Sequence, residues 1–226
     1  MGHKANIQRI KTVNEALGDI KENFVFVGGA TVSLYADRMT EEVRPTDDVD
    51  VLVEILSRWD YAALEEKLRQ IGFVNDTDAK FIGRYIIEDV IVDLMATSED
   101  ILGFSNKWYY EGFKIAIEYK IDEFHSIKIL PSPYFIATKI EAFKNRGAND
   151  GRTSSDFEDI IFILNNRSSV WDEIQESDLS VKDYLKKEFR ELLNNPYLEE
   201  WIDAHTSFSS SPSTIYLIQK LNEIVK

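Results

Sequence analysis

A diglycine turn, Gly28-Gly29, closes the apolar run Phe24 to Val27, and a second β-like run from Asp48 to Ile55 opens with Asp48 and Asp50. Residues two apart on a strand share a face, so both carboxylates point one way while Val49, Val51 and Val53 point the other. Acids on one face of an otherwise apolar strand need compensation, because an unpaired carboxylate near a core is costly. Paired carboxylates suit divalent cations, and glycine at a strand-to-helix turn lets backbone approach a phosphate beside the free N–H groups of the next helix. The stretch therefore predicts phosphate held beside metal.

The chain has no cysteine and three histidines in 226 residues. That excludes a disulfide framework, a thiolate zinc site and a cysteine nucleophile, and it argues against a histidine cluster. Any metal is expected to be a hard cation on oxygen ligands. A formal net charge of −14 argues against non-specific binding to a polynucleotide backbone. A local basic strip remains open, since Arg38, Arg44, Lys139, Lys144, Arg146 and Arg152 lie close in sequence to the candidate residues. The apolar runs are strand-sized, the polar N-terminus lacks a signal-peptide core, and Asn6 breaks a myristoylation pattern after Met1-Gly2. A cytoplasmic protein with no membrane partner is the expectation.

The spacing of Ile7, Ile10, Val13, Leu17 and Ile20 predicts an amphipathic helix over 6–21. A helix is expected over 30–38, a polar loop over 40–46, and a helix over 57–71 carrying Trp59, Leu64, Leu68 and Ile71 and stopping at Gly72. Strands are expected over 81–87 and 90–95, joined by Glu88-Asp89 as a hairpin turn, and again over 114–119 and 126–130. Beyond Pro131 and Pro133 the period is helical, with helices over 133–144, 154–164, 179–193, 196–204 and 213–225. A polar loop spans 145–153, and 207–213 is a serine-rich connector. The layout is a mixed α/β domain over 1–130 followed by a helical domain over 131–226.

Three further residues belong to the candidate set. Asp93 stands alone in the apolar run Val90 to Met95, either as a third carboxylate for a metal or as a buried acid satisfied by Arg84 of the neighbouring strand. Lys139 sits at the edge of the buried face of its helix. Asp156 opens the following helix, where Ser155 and Glu158 match a capping box and acids are favoured for structural reasons alone.

The order Gly28-Gly29, then Arg44-Pro45-Thr46-Asp47-Asp48-Val49-Asp50, then Asp93, resembles the nucleotidyltransferases of the polymerase beta superfamily, and more closely the AbiEii-type toxins. Lys139 followed by Asp156 and Asp159 matches that family's helical lysine and Asp-x-x-Asp. The likeness covers roughly the first 165 residues.

It implies an α+β fold, a nucleotidyltransferase core with a mixed sheet flanked by helices and a C-terminal helical bundle. It also implies that Gly28 and Gly29 cradle an NTP, that Asp48, Asp50 and Asp93 bind Mg2+ in a two-metal site, and that Lys139 contacts nucleotide phosphates. Asp156 would place substrate or transfer a proton, and Arg44 and Thr46 would position the loop. The second position of the turn is Gly29 where many relatives carry serine, so a hydroxyl must come from Thr31 or Ser33. Ser155 stands where related toxins often show a basic residue, and Arg152 is the expected compensation.

The implied activity is Mg2+-dependent transfer of a nucleoside monophosphate to an acceptor hydroxyl, such as a tRNA or other RNA 3′ end, by a toxin with a cognate antitoxin. The alternatives are a small-molecule acceptor of the aminoglycoside type, a protein acceptor, or a non-catalytic interaction module.

Overall fold

The computed structural model describes residues 2–37, 43–146, 150–206 and 214–226. The chain is α+β and divides into two compact units, one of Met1–Ser33 with Glu42–Pro131, the other of Leu34–Glu41 with Ser132–Lys226.

The first unit opens with α1 (Gly2–Leu17), which ends before a 3-10 segment at Gly18, where φ is +50°. It continues through β1 (Phe24–Val27), β2 (Asp48–Val53), α2 (Arg58–Gln70), β3 (Val74–Asn75), β4 (Arg84–Ile87), β5 (Val90–Ala96), α3 (Glu99–Leu102), α4 (Tyr109–Lys114), β6 (Ile117–Lys120) and β7 (Ser126–Ile129). The strands form one mixed sheet in the order β3-β4-β5-β2-β1-β7-β6, with β2 parallel to β5, β1 parallel to β7 and the other pairs antiparallel. Helix α1 packs on β2 and β5. As the alternation predicts, Val49, Val51 and Val53 are buried while Asp48 and Asp50 are half-buried. The β4–β5 hairpin turns on Glu88 and Asp89, both with positive φ, the geometry of a two-residue turn matched to sheet twist.

Several expectations are corrected. The helix expected over 30–38 is a 3-10 helix, Gly29–Tyr35; every residue in it is buried, and glycine, threonine, valine and serine are poor α-helix formers. The strand expected over 114–119 is the end of α4 followed by β6, whose alternation stays largely exposed. The apolar stripe of α2 buries Leu68, whereas Trp59 is 85% exposed.

The second unit contains α5 (Ser132–Arg146), α6 (Ser155–Asn166), α7 (Val170–Glu176), α8 (Leu179–Leu193), α9 (Leu198–Thr206) and α10 (Thr214–Ile224). Helix α7 has too short a pattern to stand out in sequence. Helix α5 packs against α6, α7 and α8 and is buried nearly all round, as a central helix should be. Phe143, Phe157 and Trp201 form an aromatic cluster with ring centroids 5.3 to 5.9 Å apart. A Cβ on Gly151 would come within 2.5 Å of the Trp201 ring, so glycine is what lets the loop before α6 lie on that cluster. Arg167, paired with Glu173, donates to the Tyr35 carbonyl oxygen at 3.1 Å and ties the 34–37 segment to this unit. The connector 207–213, part of each polar loop (40–42 and 147–149) and Arg38 lie outside the described residues. Among those described, no helix is long and apolar enough to cross a membrane.

Candidate functional site

The sheet register builds the site. Arg84 faces Asp93 across β4 and β5, Asp93 faces Asp50 across β5 and β2, and Asp50 faces Val27 across β2 and β1. Directly opposed residues share a face, so Arg84, Asp93 and Asp50 stand in a row, with Asp48 two residues along from Asp50.

Gly28 follows Val27 and so lies against Asp50. Its φ is +72°, and a Cβ there would overlap the Asp50 carboxylate, so both conformation and space demand glycine. A Cβ on Gly29 would come within 2.8 Å of Arg44 Nη2 and of Thr46 Cγ2. The turn and the Arg44-to-Thr46 segment are thus in close contact.

That segment is held by a residue the sequence reading missed. Asn6 of α1, fully buried, donates through Nδ2 to the Arg44 carbonyl oxygen at 3.2 Å and accepts from the Thr46 N–H at 3.0 Å. Thr46 Oγ1 in turn donates to the Asp48 carbonyl oxygen at 3.1 Å. The signal was available in the four-residue spacing Gly2, Asn6, Ile10, which puts Asn6 on the buried face of α1. Gly2 on the same face has no room for a side chain against Val43 and Arg44.

Of the two hydroxyls expected beside the turn, Thr31 Oγ1 donates to the Gly28 carbonyl oxygen at 2.9 Å, while buried Ser33 Oγ has no partner among the described residues. Thr31→Val should therefore cost about 1 kcal/mol of stability through the lost turn contact. Ser33→Ala, which removes no hydrogen bond seen among the described residues, should leave stability unchanged. Urea melts on the two variants check this.

Asp93, 6% exposed, accepts from Arg84 Nε and Nη2 at 2.6 Å each, and Arg84 Nη2 lies 3.5 Å from Asp48 Oδ2. Of the two readings of Asp93, the structure shows the arginine-satisfied acid, as a bidentate ion pair. Among the described residues no three carboxylate or imidazole groups converge as a ready cation site. The cation against the acids is a guanidinium. Donor chemistry still suits a hard divalent ion, with three carboxylates at adjoining positions of two strands and a glycine cradle that a Cβ would fill.

Lys139 and Asp156 belong to the second unit and are brought to each other. Lys139, 6% exposed, places Nζ 2.6 Å from Asp159 Oδ2 and 3.3 Å from Asp156 Oδ1. Arg146 binds Asp156 bidentately at 2.8 and 2.9 Å. The expected compensation by Arg152 is corrected: it pairs instead with Asp150 and Glu200. So is the cap, since Ser154 and not Ser155 accepts from the Phe157 N–H. Lys144 contacts Glu188 as well, so Lys139, Lys144, Arg146 and Arg152 each pair with an acid.

Burial alone would raise the Asp156 pKa, but the Arg146 hydrogen bonds and the Lys139 charge together hold it below its ordinary value of 3.8. A carboxylate lowered on folding stabilises the fold above its unfolded pKa and loses that contribution as pH falls through the lower folded value. Asp156 pairing is therefore fully present above about pH 5 and lost progressively below 3.8. Arg146→Gln should move the acid-unfolding midpoint upward, read by circular dichroism between pH 2 and 6.

No family model matches the chain, and no curated protein matches it. Among solved structures it is similar to the antibiotic-resistance factor ANT(2'')-Ia, with 13% identity, a TM-score of 0.49 and coverage of 85% of this chain and 96% of that chain.

Proposed function

We propose that the chain is a nucleotidyltransferase that moves a nucleoside monophosphate from an NTP to an acceptor hydroxyl. The observation that carries the reading is the row of Asp50 and Asp93, with Asp48 beside it, against a Gly28 that admits no side chain. Asp48, Asp50 and Asp93 would hold Mg2+, whose chemistry there is neutralising triphosphate charge and acidifying the acceptor hydroxyl.

The chain's own groups do the positioning. Gly28 and Gly29 allow backbone to approach phosphate, Ser33 offers a hydroxyl with no partner among the described residues, and Asn6 fixes the Arg44-to-Thr46 segment on the turn. Lys139 was implied as a phosphate contact and Asp156 as a group for substrate placement or proton transfer. A carboxylate held by two cations is a poor proton acceptor, so the pairing favours placement: Lys139 and Arg146 lock α5 to the start of α6.

The AbiEii resemblance supports an RNA 3′ end as acceptor and a toxin role with a cognate antitoxin. The net charge of −14 suits a cationic small molecule of the aminoglycoside type at least as well.

The test is incubation with each [α-32P]NTP and Mg2+ plus tRNA, total RNA, an aminoglycoside or the protein alone. Label leaving the NTP for any acceptor, and absent in Asp48→Asn, supports nucleotidyl transfer, and the labelled species names the acceptor. Label confined to free NTP and its hydrolysis products with every acceptor overturns it.

A further inference from the structure

Arg84 has no part in the transfer chemistry above, yet it grips one of the three acids closely. It stands opposite Asp93 in the β4–β5 register, grips both carboxylate oxygens at 2.6 Å, and reaches to 3.5 Å from Asp48. Its side chain keeps 30% of its exposure, whereas that of Asp93 keeps 8%. Neighbouring carboxylates on two paired strands repel one another, and a guanidinium relieves that repulsion much as a divalent cation would. Arginine and metal therefore compete for the same oxygens.

Space for the arginine to leave lies beside it. A cavity of about 470 Å³ is lined by Lys80, Phe81, Arg84, Asp93 and Phe104. Both members of the ion pair form its wall, and the Phe81 and Phe104 rings, 4.9 Å apart, offer aromatic surface to a guanidinium.

Resting on the metal-site reading of the three acids, we propose that Arg84 is a resident counter-cation that releases Asp93 and Asp48 into the cavity side when a divalent cation binds. Arg84 is then a positioning residue. It occupies the acids' oxygens without metal, and affinity for free metal is reduced to the fraction of time it spends released. The freed guanidinium would find anionic oxygens on a metal-bound triphosphate and none on a bare ion, so the paired state would discriminate against bare ions.

The experiment is Mn2+ titration of the whole protein without nucleotide, free ion being counted by electron paramagnetic resonance. Wild type is compared with Arg84→Met, which keeps an apolar stem, with Arg84→Lys, which keeps charge but loses the fork, and with Asp50→Asn. The expected order is a dissociation constant about tenfold lower in Arg84→Met than in wild type, with Arg84→Lys between them and Asp50→Asn weakest. Equal or weaker Mn2+ binding in folded Arg84 variants overturns the counter-cation role while leaving the metal site standing. Absence of Mn2+ binding in wild type and in both Arg84 variants overturns the metal-site reading as well. If Arg84→Met fails to fold, the comparison of wild type with Arg84→Lys decides, since a merely structural arginine would not yield tighter metal binding when replaced.

Discussion

Asp50→Asn is expected to reduce nucleotidyl transfer by about a thousandfold or more, equivalent to roughly 4 kcal/mol of transition-state stabilisation, with the melting temperature nearly unchanged. Asp50 is half-buried, and the amide is nearly isosteric with the carboxylate, so the close fit against Gly28 survives. What is lost is the charge in the middle of the site, next to Asp93 in the row. Single-turnover rates on purified variant and wild type read the effect. A variant retaining a tenth or more of wild-type rate would show that Asp50 is a structural acid and would remove the chemical core of the account. Gly28→Ala should also lose activity, but by displacing the Asp50 carboxylate and straining a φ of +72°, and so with loss of stability.

The second large effect falls in the helical unit. Lys139→Met takes a cation from two buried carboxylates, Asp156 and Asp159, and removal of one member of a buried pair costs about 3–5 kcal/mol. For a unit of this size that lowers its melting temperature by more than about 10 °C. The Lys139→Met, Asp159→Asn double variant should recover much of the loss, because the amide needs no counter-charge, while Arg146 still holds Asp156. Calorimetry on both variants distinguishes a structural lysine from a purely phosphate-binding one. A Lys139→Met protein of full stability and no activity would assign the lysine to the nucleotide.

Those two residues mark how far the sequence could be read. The alternation Asp48, Asp50 against Val49, Val51, Val53 is local, so the face of the acids follows from strand geometry, and Glu88-Asp89 declares its hairpin by the same kind of short-range rule. Arg84 gripping Asp93 was only one of two readings, because register decides which residue lies opposite which and register is a long-range property of the sheet. Asn6 escaped notice because a buried asparagine is told from an exposed one only by its partners, and those lie 38 and 40 residues away. The segment 114–119 misled for the reverse reason: alternation without a core to face produces an exposed edge, and Lys114 closes a helix instead. Arg152 was the expected compensation from its place near Asp156 in sequence, but Arg146 at the end of α5 makes the pair while Arg152 turns to Asp150 and Glu200.

The central claim is that this acid row and glycine turn form an NTP site that depends on a divalent cation. Thermal melting of wild type and Asp50→Asn with each of the four NTPs, with and without Mg2+, tests it directly, because a ligand that binds only the folded state raises the melting temperature by mass action. The account predicts a rise for wild type with at least one NTP, present only with Mg2+ and absent in Asp50→Asn. No shift with any NTP in the presence of Mg2+, or an equal shift in Asp50→Asn, would contradict it.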